Sequence, residues 1–151
     1  MRRPLIAVVL ACLFSPAAQA RFAPPAVPKR HPARLSQRVV AFATRQIGVP
    51  YRWGGISRAT GFDCSGLVYA AYRSIGLTVP RSSWDQLRVG RPVRFARLRP
   101  GDLLFTAGGG HVQLVVSKSA AISAPQTGER VRYVPLAQLR PEFAGGRRVL
   151  R

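Results

Sequence analysis

Acidic residues are scarce in this chain: five Asp and Glu stand against 24 Lys and Arg, and the formal net charge is +19 over 151 residues. Such a charge attracts polyanions, which makes nucleic acid, anionic envelope polymers and lipid headgroups candidate partners. The basic residues are scattered and do not form one stripe, so an Arg-rich surface that only keeps the protein soluble explains them equally well. Charge alone therefore selects no partner.

Two further absences bound the architecture. No internal repeat is visible at periods of roughly 20 to 50 residues, which excludes a solenoid or a propeller. The apolar run over residues 5–14 has about half the length that a membrane-spanning helix requires. Hydrophobic residues nevertheless make up 47% of the chain, which is typical of a globular protein. A chain of this length forms one domain, not two.

The N-terminus resembles a secretory signal peptide. Arginines at positions 2–3 precede the apolar run, and the tripeptide Ala-Gln-Ala at 18–20 places small residues where a signal peptidase cleaves. We therefore predict a signal peptide over residues 1–20 and an exported protein in the periplasm or cell envelope. Two alternatives stay open: a buried first helix, and lipid anchoring at Cys12, because residues 9–12 resemble a lipobox.

Cysteine is nearly absent as well, since the chain contains Cys12 and Cys64 alone. If Cys12 leaves with the signal peptide, Cys64 cannot form an intrachain disulfide. A lone thiol in an oxidising compartment is either an inert core residue or a reactive group. No group of Cys and His residues has the spacing of metal ligands, so the sequence predicts neither a metal nor a cofactor.

The remaining chain divides into a linker and one domain. Proline-rich residues 21–33 predict an extended linker, and residues 34–151 are predicted to form the domain. Apolar residues recur at helical spacing until Gly48 and Pro50. The other predicted elements are helices at residues 64–74 and at about 83–87, and strands at residues 102–106, 111–117, 120–124, 131–134 and 147–150. Helices first and closely connected strands later indicate an α+β fold with an antiparallel sheet.

Cys64 and His111 are the candidate catalytic pair. Cys64 lies in the first turn of the predicted second helix, with Asp63 at its N-cap, and the partial positive charge of a helix N-terminus favours the nucleophilic thiolate. His111 begins a strand directly after glycines 108–110 and is the only histidine in the predicted domain. A thiol and an imidazole within hydrogen-bonding distance are the minimum apparatus for acyl transfer. The alternatives are an inert buried cysteine and a surface histidine.

Five segments in a fixed order carry a resemblance to a known family. The nucleophile segment is GFDCSGLV at residues 61–68. The others are YRWGG at 51–55, VPRSS at 79–83 with Gln86 and Gly90, LRPGDLLF at 98–105 with His111-Val112, and Ala124-Pro125 with Gly128. Over residues 35–135 the chain resembles the NlpC/P60 cysteine peptidases. A lone Asp-Cys-Ser-Gly is a weak signal, whereas five linked segments are a specific one.

The resemblance implies a small papain-like α+β domain that hydrolyses amide bonds in peptidoglycan stem peptides, commonly next to D-glutamate or diaminopimelate, as a D,L-endopeptidase. It implies that Cys64 is the nucleophile, acting through a thioester acyl-enzyme, and that His111 is its base. The backbone N–H of Cys64 would then be an oxyanion donor. Tyr51 would supply a hydroxyl near the thiol, and Asp63 and Ser65 would line the substrate pocket and meet a substrate amine. We expect peptidoglycan as the partner and a monomer.

The sequence departs from the family at the third catalytic position. The family places a polar residue, often histidine, twelve residues after the base, and here that position is Ser123. A third residue holds the imidazole in one tautomer and orientation, and serine offers one hydrogen bond but no charge. Gln113 replaces the usual glycine after His-Val and lies on the His111 face of the strand, where it could contact the ring.

Two other functions stay open. A wall-binding module with a weakened catalytic set is suggested by Ser123. A nucleic-acid-binding protein is suggested by the charge, but the predicted export and the lack of a binding motif oppose it. We therefore predict no nucleic-acid partner and leave open an electrostatic contact with anionic envelope surfaces.

Trp53 is expected in the core, whereas Tyr51 is equally compatible with the core and the site. Asp63 is compatible with a purely capping role.

Overall fold

The computed structural model describes residues 31–151. The predicted signal peptide and most of the predicted linker lie outside these residues. The first helix, α1, spans Pro32–Thr44, so it begins inside the last residues of the predicted linker. His31 is its N-cap, and the Nδ1 atom of His31 accepts a hydrogen bond from the backbone N–H of Ala33 at 3.4 Å. No helix within residues 31–151 combines the length and the apolar character that crossing a membrane requires.

The remaining elements follow the predicted order. Helix α2 spans Cys64–Arg73 and α3 spans Ser83–Gln86. The strands are β1 Ile56–Ser57, β2 Gly61–Phe62, β3 Arg91–Pro92, β4 Leu103–Thr106, β5 His111–Val115, β6 Ala120–Ser123, β7 Arg132–Pro135 and β8 Gly145–Arg148, with helix α4 at Leu136–Leu139 and 3-10 turns at Phe95–Arg97 and Ala107–Gly109.

The elements that the sequence does not predict are all short. Strands β1 to β3 and helix α4 each have two to four residues, too few to carry a hydrophobic period. Strand β8 begins at Gly145, two residues before the predicted strand. Its glycines have no side chains to reveal the alternation that a sequence reading depends on.

Strands β3 to β8 form one six-stranded sheet in the order β3-β8-β4-β5-β6-β7. Every pairing in it is antiparallel. Strands β5 and β6 are the two halves of a hairpin, with Leu114 opposite Ile122, as predicted. Strands β1 and β2 form a separate two-stranded ribbon. The antiparallel sheet with its packed helices confirms the predicted α+β class.

The sheet separates two apolar clusters of different size. Alternate residues of a strand point to opposite faces: Phe105 and Leu114 belong to the main core with α1 and α2, whereas Leu104 and Val115 belong to a smaller cluster with Leu136 of α4. The buried residues that α1 and α2 contribute to the main core are Val39, Ala43, Leu67, Val68, Ala71 and Tyr72. The helical layer therefore covers one face of the sheet, and α4 covers part of the other.

Helix α2 is capped at its N-terminus and anchored near its C-terminus. The Oδ1 atom of Asp63 accepts a hydrogen bond from the backbone N–H of Gly66 at 2.6 Å, which caps the N-terminus as predicted. Gly76 has a φ of 78°, which suits a glycine just beyond a helix end. The buried Tyr72 hydroxyl donates to the carbonyl of Gly101 at 2.6 Å. Burial raises the pKa of Tyr72, so the hydroxyl keeps its proton and ties α2 to the turn before β4.

Candidate active site

Cys64 is the first residue of α2 and is partly exposed. Val112 and Ser65 lie close enough to its sulfur to lower the pKa of the thiol. Because Val112 directly follows His111 in β5, the sulfur lies beside the start of the strand that carries the imidazole. The packing of α2 against β5 holds this arrangement.

Burial raises the pKa of the Cys64 thiol above its ordinary value of 9.0. The backbone N–H of Val112 lowers this pKa, the negative charge of Asp63 raises it again, and Ser65 lowers it by less. The expectation that the helix N-terminus makes this thiol acidic is therefore wrong in its net direction. The polar donors are present, but the loss of hydration around a mostly buried sulfur is the larger effect.

His111 and Ser123 lie within hydrogen-bonding distance. The Nε2 atom of His111 is 3.0 Å from the Oγ atom of Ser123, and the pairing of β5 with β6 brings the two residues together. Burial lowers the pKa of His111 below its ordinary value of 6.5, and the charge of Glu142 raises it by less. The imidazole is therefore neutral at neutral pH. Gln113 does not take part in this contact, because its amide donates to the Oγ1 atom of Thr106 at 3.2 Å.

Asp63 has partners that its capping position does not reveal. Both Nη atoms of Arg81 donate to its carboxylate, at 2.9 and 2.6 Å, and the backbone N–H of Gly54 donates to its Oδ2 atom at 2.8 Å. Arg81 also donates to the Oγ atom of Ser65 at 2.9 Å. Asp63 is buried, whereas 38% of the Arg81 side chain is exposed. One carboxylate thus joins three separate segments around the N-terminus of α2.

An open cleft of about 460 Å³ leads to the sulfur. Its lining residues are Trp53, Gly54, Asp63, Cys64, Ser65, Arg81, Ser82, Ser83, Trp84 and Gly110. Cys64, Asp63 and Ser65 therefore share one cleft. Tyr51 and His111 are not among the lining residues, although Gly110 immediately precedes His111.

Tyr51 lies next to the cleft without lining it. Its backbone pairs with Phe62 in an isolated bridge, which holds it close to the start of α2. Burial raises the pKa of Tyr51, the charges of Cys64 and Asp63 raise it further, and the charge of Arg81 lowers it by less. The Tyr51 hydroxyl is therefore within electrostatic range of all three side chains and keeps its proton at neutral pH.

The two tryptophans stand on the walls of the cleft. Trp53 is 85% exposed and Trp84 is 56% exposed, so the expectation that Trp53 belongs to the core is wrong. The ring of Trp84 lies against the glycines that precede His111, since a Cβ atom at Gly109 would be 3.1 Å from its Cζ3 atom. The sequence contains no signal for Trp84 beyond its position beside two serines.

The NlpC/P60 family model matches residues 48–142, a range that contains Cys64, His111, Ser123 and the whole lining of the cleft. The chain belongs to the NlpC/P60 family. The fold of this NlpC/P60 domain is the predicted papain-like α+β fold. The segments 51–55 and 79–83 meet the nucleophile segment at the N-terminal end of α2, whereas Gly101 of the fourth segment contacts Tyr72 near the other end.

Curated relatives and solved structures extend this likeness. The murein DD-endopeptidase MepH of Escherichia coli is 40% identical, over 70% of this chain and 43% of MepH. The gamma-D-glutamyl-L-lysine dipeptidyl-peptidase of Bacillus subtilis is 34% identical, over 75% of this chain and 40% of that protein. The structure of the peptidoglycan hydrolase RipB of Mycobacterium tuberculosis matches with a TM-score of 0.74 at 32% identity, over 83% of this chain and 69% of that one. The chain thus spans less than half the length of the first two relatives.

The NlpC/P60 domain has residues at its site that sequence reasoning missed. Arg81 is one, because its partner Asp63 is 18 residues away and no local pattern joins them. Trp84 is another. Among residues 31–151, no group of three or more His, Cys, Asp and Glu side chains is placed to hold a metal ion. The cleft is lined by the Cys64 thiol, by serine hydroxyls and by the paired Arg81 guanidinium, and Gly110, the residue before His111, is part of its wall.

Proposed function

We propose that this NlpC/P60 domain is a cysteine peptidase that hydrolyses an amide bond in peptidoglycan stem peptides. One juxtaposition carries the proposal: Cys64 lies at the N-terminus of α2 and opens to the cleft, and α2 packs against β5, the strand that begins at His111. The relatives support the substrate class, because MepH is named a murein endopeptidase and RipB a peptidoglycan hydrolase.

The proposed reaction uses His111 as a general base. When Nε2–H donates to the Oγ atom of Ser123, the lone pair is on Nδ1, and Nδ1 takes the proton from the Cys64 thiol. The sulfur attacks the carbonyl carbon, the imidazolium protonates the leaving amine, and a thioester remains. A water molecule that gives its proton to the same nitrogen then hydrolyses the thioester and regenerates the thiol.

Proton transfer accompanies the attack in this scheme. Burial raises the pKa of Cys64 and lowers the pKa of His111, so the resting pair is a neutral thiol beside a neutral imidazole. A preformed thiolate–imidazolium pair would require the opposite shifts. We therefore expect the base to act during the chemical step.

The oxyanion of the tetrahedral intermediate is assigned to two donors. The first is the backbone N–H of Cys64, because the first N–H groups of a helix have no intrahelical acceptor. The second is the hydroxyl of Tyr51, whose raised pKa keeps it protonated as a donor. The first donor lies at the N-terminal end of α2, where negative charge is favoured, and the bridge between Tyr51 and Phe62 holds Tyr51 close to that end.

Ser65 and Arg81 are assigned to the substrate. The oxygens of Asp63 already accept from Arg81, Gly54 and Gly66, so a substrate amine would reach Asp63 only in competition with Arg81. We assign Asp63 to holding Arg81 and Ser65 at the cleft wall. The partly exposed guanidinium is then available to a carboxylate of the stem peptide.

The test is digestion of purified sacculi, with released fragments analysed by mass spectrometry. The native protein should release fragments with new amine termini, and Cys64→Ala and His111→Ala should release none. Binding to sacculi without any release would instead support a wall-binding module. The uncharged Ser123 is the observation that favours that module.

A matched pair of variants tests the third catalytic position. Ser123→Ala removes a neutral hydrogen bond worth about 1 kcal/mol, so kcat/KM should fall by roughly fivefold. Ser119→Ala removes a serine that lies in the turn of the same hairpin and should change nothing. Ser123→His should raise kcat/KM if serine orients the imidazole weakly. An unchanged rate in both Ser123 variants would show that Ser123 does not orient the base.

The bond is the finer part of the proposal. We propose cleavage of the D,L type within one stem. The names of the two relatives give different bonds, because one is a DD-endopeptidase and the other a gamma-D-glutamyl-L-lysine dipeptidyl-peptidase. Digestion of purified muropeptides distinguishes cleavage within a stem from cleavage of a cross-link. Shortened monomers support the proposal, and conversion of cross-linked dimers to intact monomers contradicts it.

Export is proposed from residues 1–20. N-terminal sequencing of the protein recovered from its native cell should begin at Arg21. A lipid-modified terminus at Cys12 would show anchoring instead, and an intact Met1 would contradict export.

A further inference from the structure

A basic groove of about 770 Å³ lies on the face of the sheet opposite α1 and α2. Phe95 and Leu136 contribute to its apolar floor, and its rim has four cationic side chains: Arg97, Arg99, Lys118 and Arg140. The rim residues come from the turn before β4, the β5–β6 turn and the end of α4. The groove shares no lining residue with the cleft at Cys64.

The four rim cations have no counter-ion within the part of the chain that the structure describes. All four are exposed, and their side chains make no ion pair there. The guanidinium of Arg140 instead lies over the ring of Phe95, with its Cζ atom 5.5 Å from the ring centroid. Like charges around one groove repel each other, so the groove is poised to take up negative charge.

The five acidic residues of the chain are all engaged elsewhere. Asp63 pairs with Arg81, Asp102 with Arg148 and Glu129 with Arg132. Asp85 accepts a hydrogen bond from Ser82. The charge of Glu142 acts on His111. None of these residues lines the groove, and Asp102, which accepts a hydrogen bond from the backbone N–H of Arg99, is already paired with Arg148.

We propose that the basic groove binds the phosphate headgroups of an anionic lipid bilayer. A guanidinium matches the geometry of phosphate oxygens, and the apolar floor suits the glycerol and acyl portions next to the headgroup. Each Lys or Arg near an anionic membrane surface strengthens binding by about 1 kcal/mol, or roughly fivefold in affinity. Because the cleft lies on the helical side, a domain held by the groove keeps the cleft free.

Single-stranded nucleic acid fits the groove less well. Such binders stack bases on exposed aromatic rings. Here the ring of Phe95 is covered on one side by Arg140 and meets Phe143 edge to face, with ring centroids 5.3 Å apart. A compact headgroup needs no free ring, whereas a stacked base does.

The test is co-sedimentation of the full chain with vesicles of phosphatidylglycerol and phosphatidylcholine, against vesicles of phosphatidylcholine alone. The groove variant replaces Arg97, Arg99, Lys118 and Arg140 by Gln. The control variant replaces Arg34, Arg38, Arg45 and Arg73 on the helical side by Gln, and so loses the same four charges. The groove variant should bind anionic vesicles roughly 600-fold more weakly, because each of its four lost charges weakens binding about fivefold. The vesicle affinity of the control variant should change by less than about fivefold.

Three outcomes would overturn the proposal. Equal weakening in both variants would mean that only net charge attracts the protein. Failure of the native chain to bind anionic vesicles would exclude the bilayer. The third outcome concerns DNA. If the groove variant lost vesicle binding and DNA binding equally, and the native chain bound DNA more tightly than vesicles, the groove would be a nucleic-acid site. If the fourfold variant misfolds by circular dichroism, the triple variant that keeps Arg140 should still show a roughly 100-fold loss.

Discussion

The ion pair between Arg81 and Asp63 permits a prediction with two independent readouts. Arg81→Gln leaves a buried carboxylate without its cation. Breaking a buried pair from one side costs about 3–5 kcal/mol, but here 38% of the Arg81 side chain is exposed, and two backbone N–H groups still donate to Asp63. We therefore expect a loss of about 2 kcal/mol in the free energy of unfolding. For a domain of this size, the Tm should fall by roughly 8 °C.

The second readout is the reactivity of the thiol. The charge of Asp63 raises the pKa of Cys64. Arg81→Gln leaves this charge uncompensated and should raise the pKa of Cys64 further, whereas Asp63→Asn removes the charge and should lower it. Asparagine is also a good N-cap, so α2 should persist in that variant. The two substitutions at one ion pair are therefore expected to shift the pKa of Cys64 in opposite directions.

The assays are thermal unfolding and the pH dependence of Cys64 alkylation by iodoacetamide, in a Cys12→Ala background with one thiol. Arg132→Gln is the matched control, because its partner Glu129 is on the surface and such pairs are worth about 0–1 kcal/mol. That control should leave the alkylation profile unchanged. A shift of the profile in the same direction for Arg81→Gln and Asp63→Asn would refute the electrostatic reasoning.

Three further predictions concern the thiol, the loop before His111 and the anchor of α2. In the native chain, the alkylation rate of Cys64 should keep rising with pH beyond 9.0, because burial raises the pKa of the thiol; a plateau reached in acid would indicate a preformed ion pair. Gly109→Ala should destabilise the domain and reduce kcat/KM, because its Cβ atom would lie 2.9 Å from Leu87 and 3.1 Å from Trp84. Gly108→Ala, whose Cβ atom meets nothing within 4 Å, should cost only about 1 kcal/mol of backbone strain, and equal effects would contradict the packing argument. Tyr72→Phe should lose about 1–2 kcal/mol of unfolding free energy in urea denaturation, since the carbonyl of Gly101 loses its donor, and Tyr69→Phe is the control that should lose little.

The local part of the site could be predicted from the sequence. Asp63 as cap, Cys64 as the first helical residue and Gly76 beyond the helix end all depend on residues a few positions apart. The β5–β6 hairpin is local for the same reason, and it brings Ser123 to His111. These elements follow from capping and from strand alternation, which act over short stretches of chain.

Tertiary structure decided what surrounds those elements. The charge beside the sulfur belongs to an ion pair whose residues are 18 positions apart. Trp53 is exposed because no distant segment within residues 31–151 packs over it. The basic groove is assembled from two turns and helix α4. The upward shift of the Cys64 pKa shows why the sequence alone does not determine these surroundings. A helix N-terminus is visible in the sequence, but the burial that outweighs it is the sum of contacts from distant segments, and only the folded chain determines that sum.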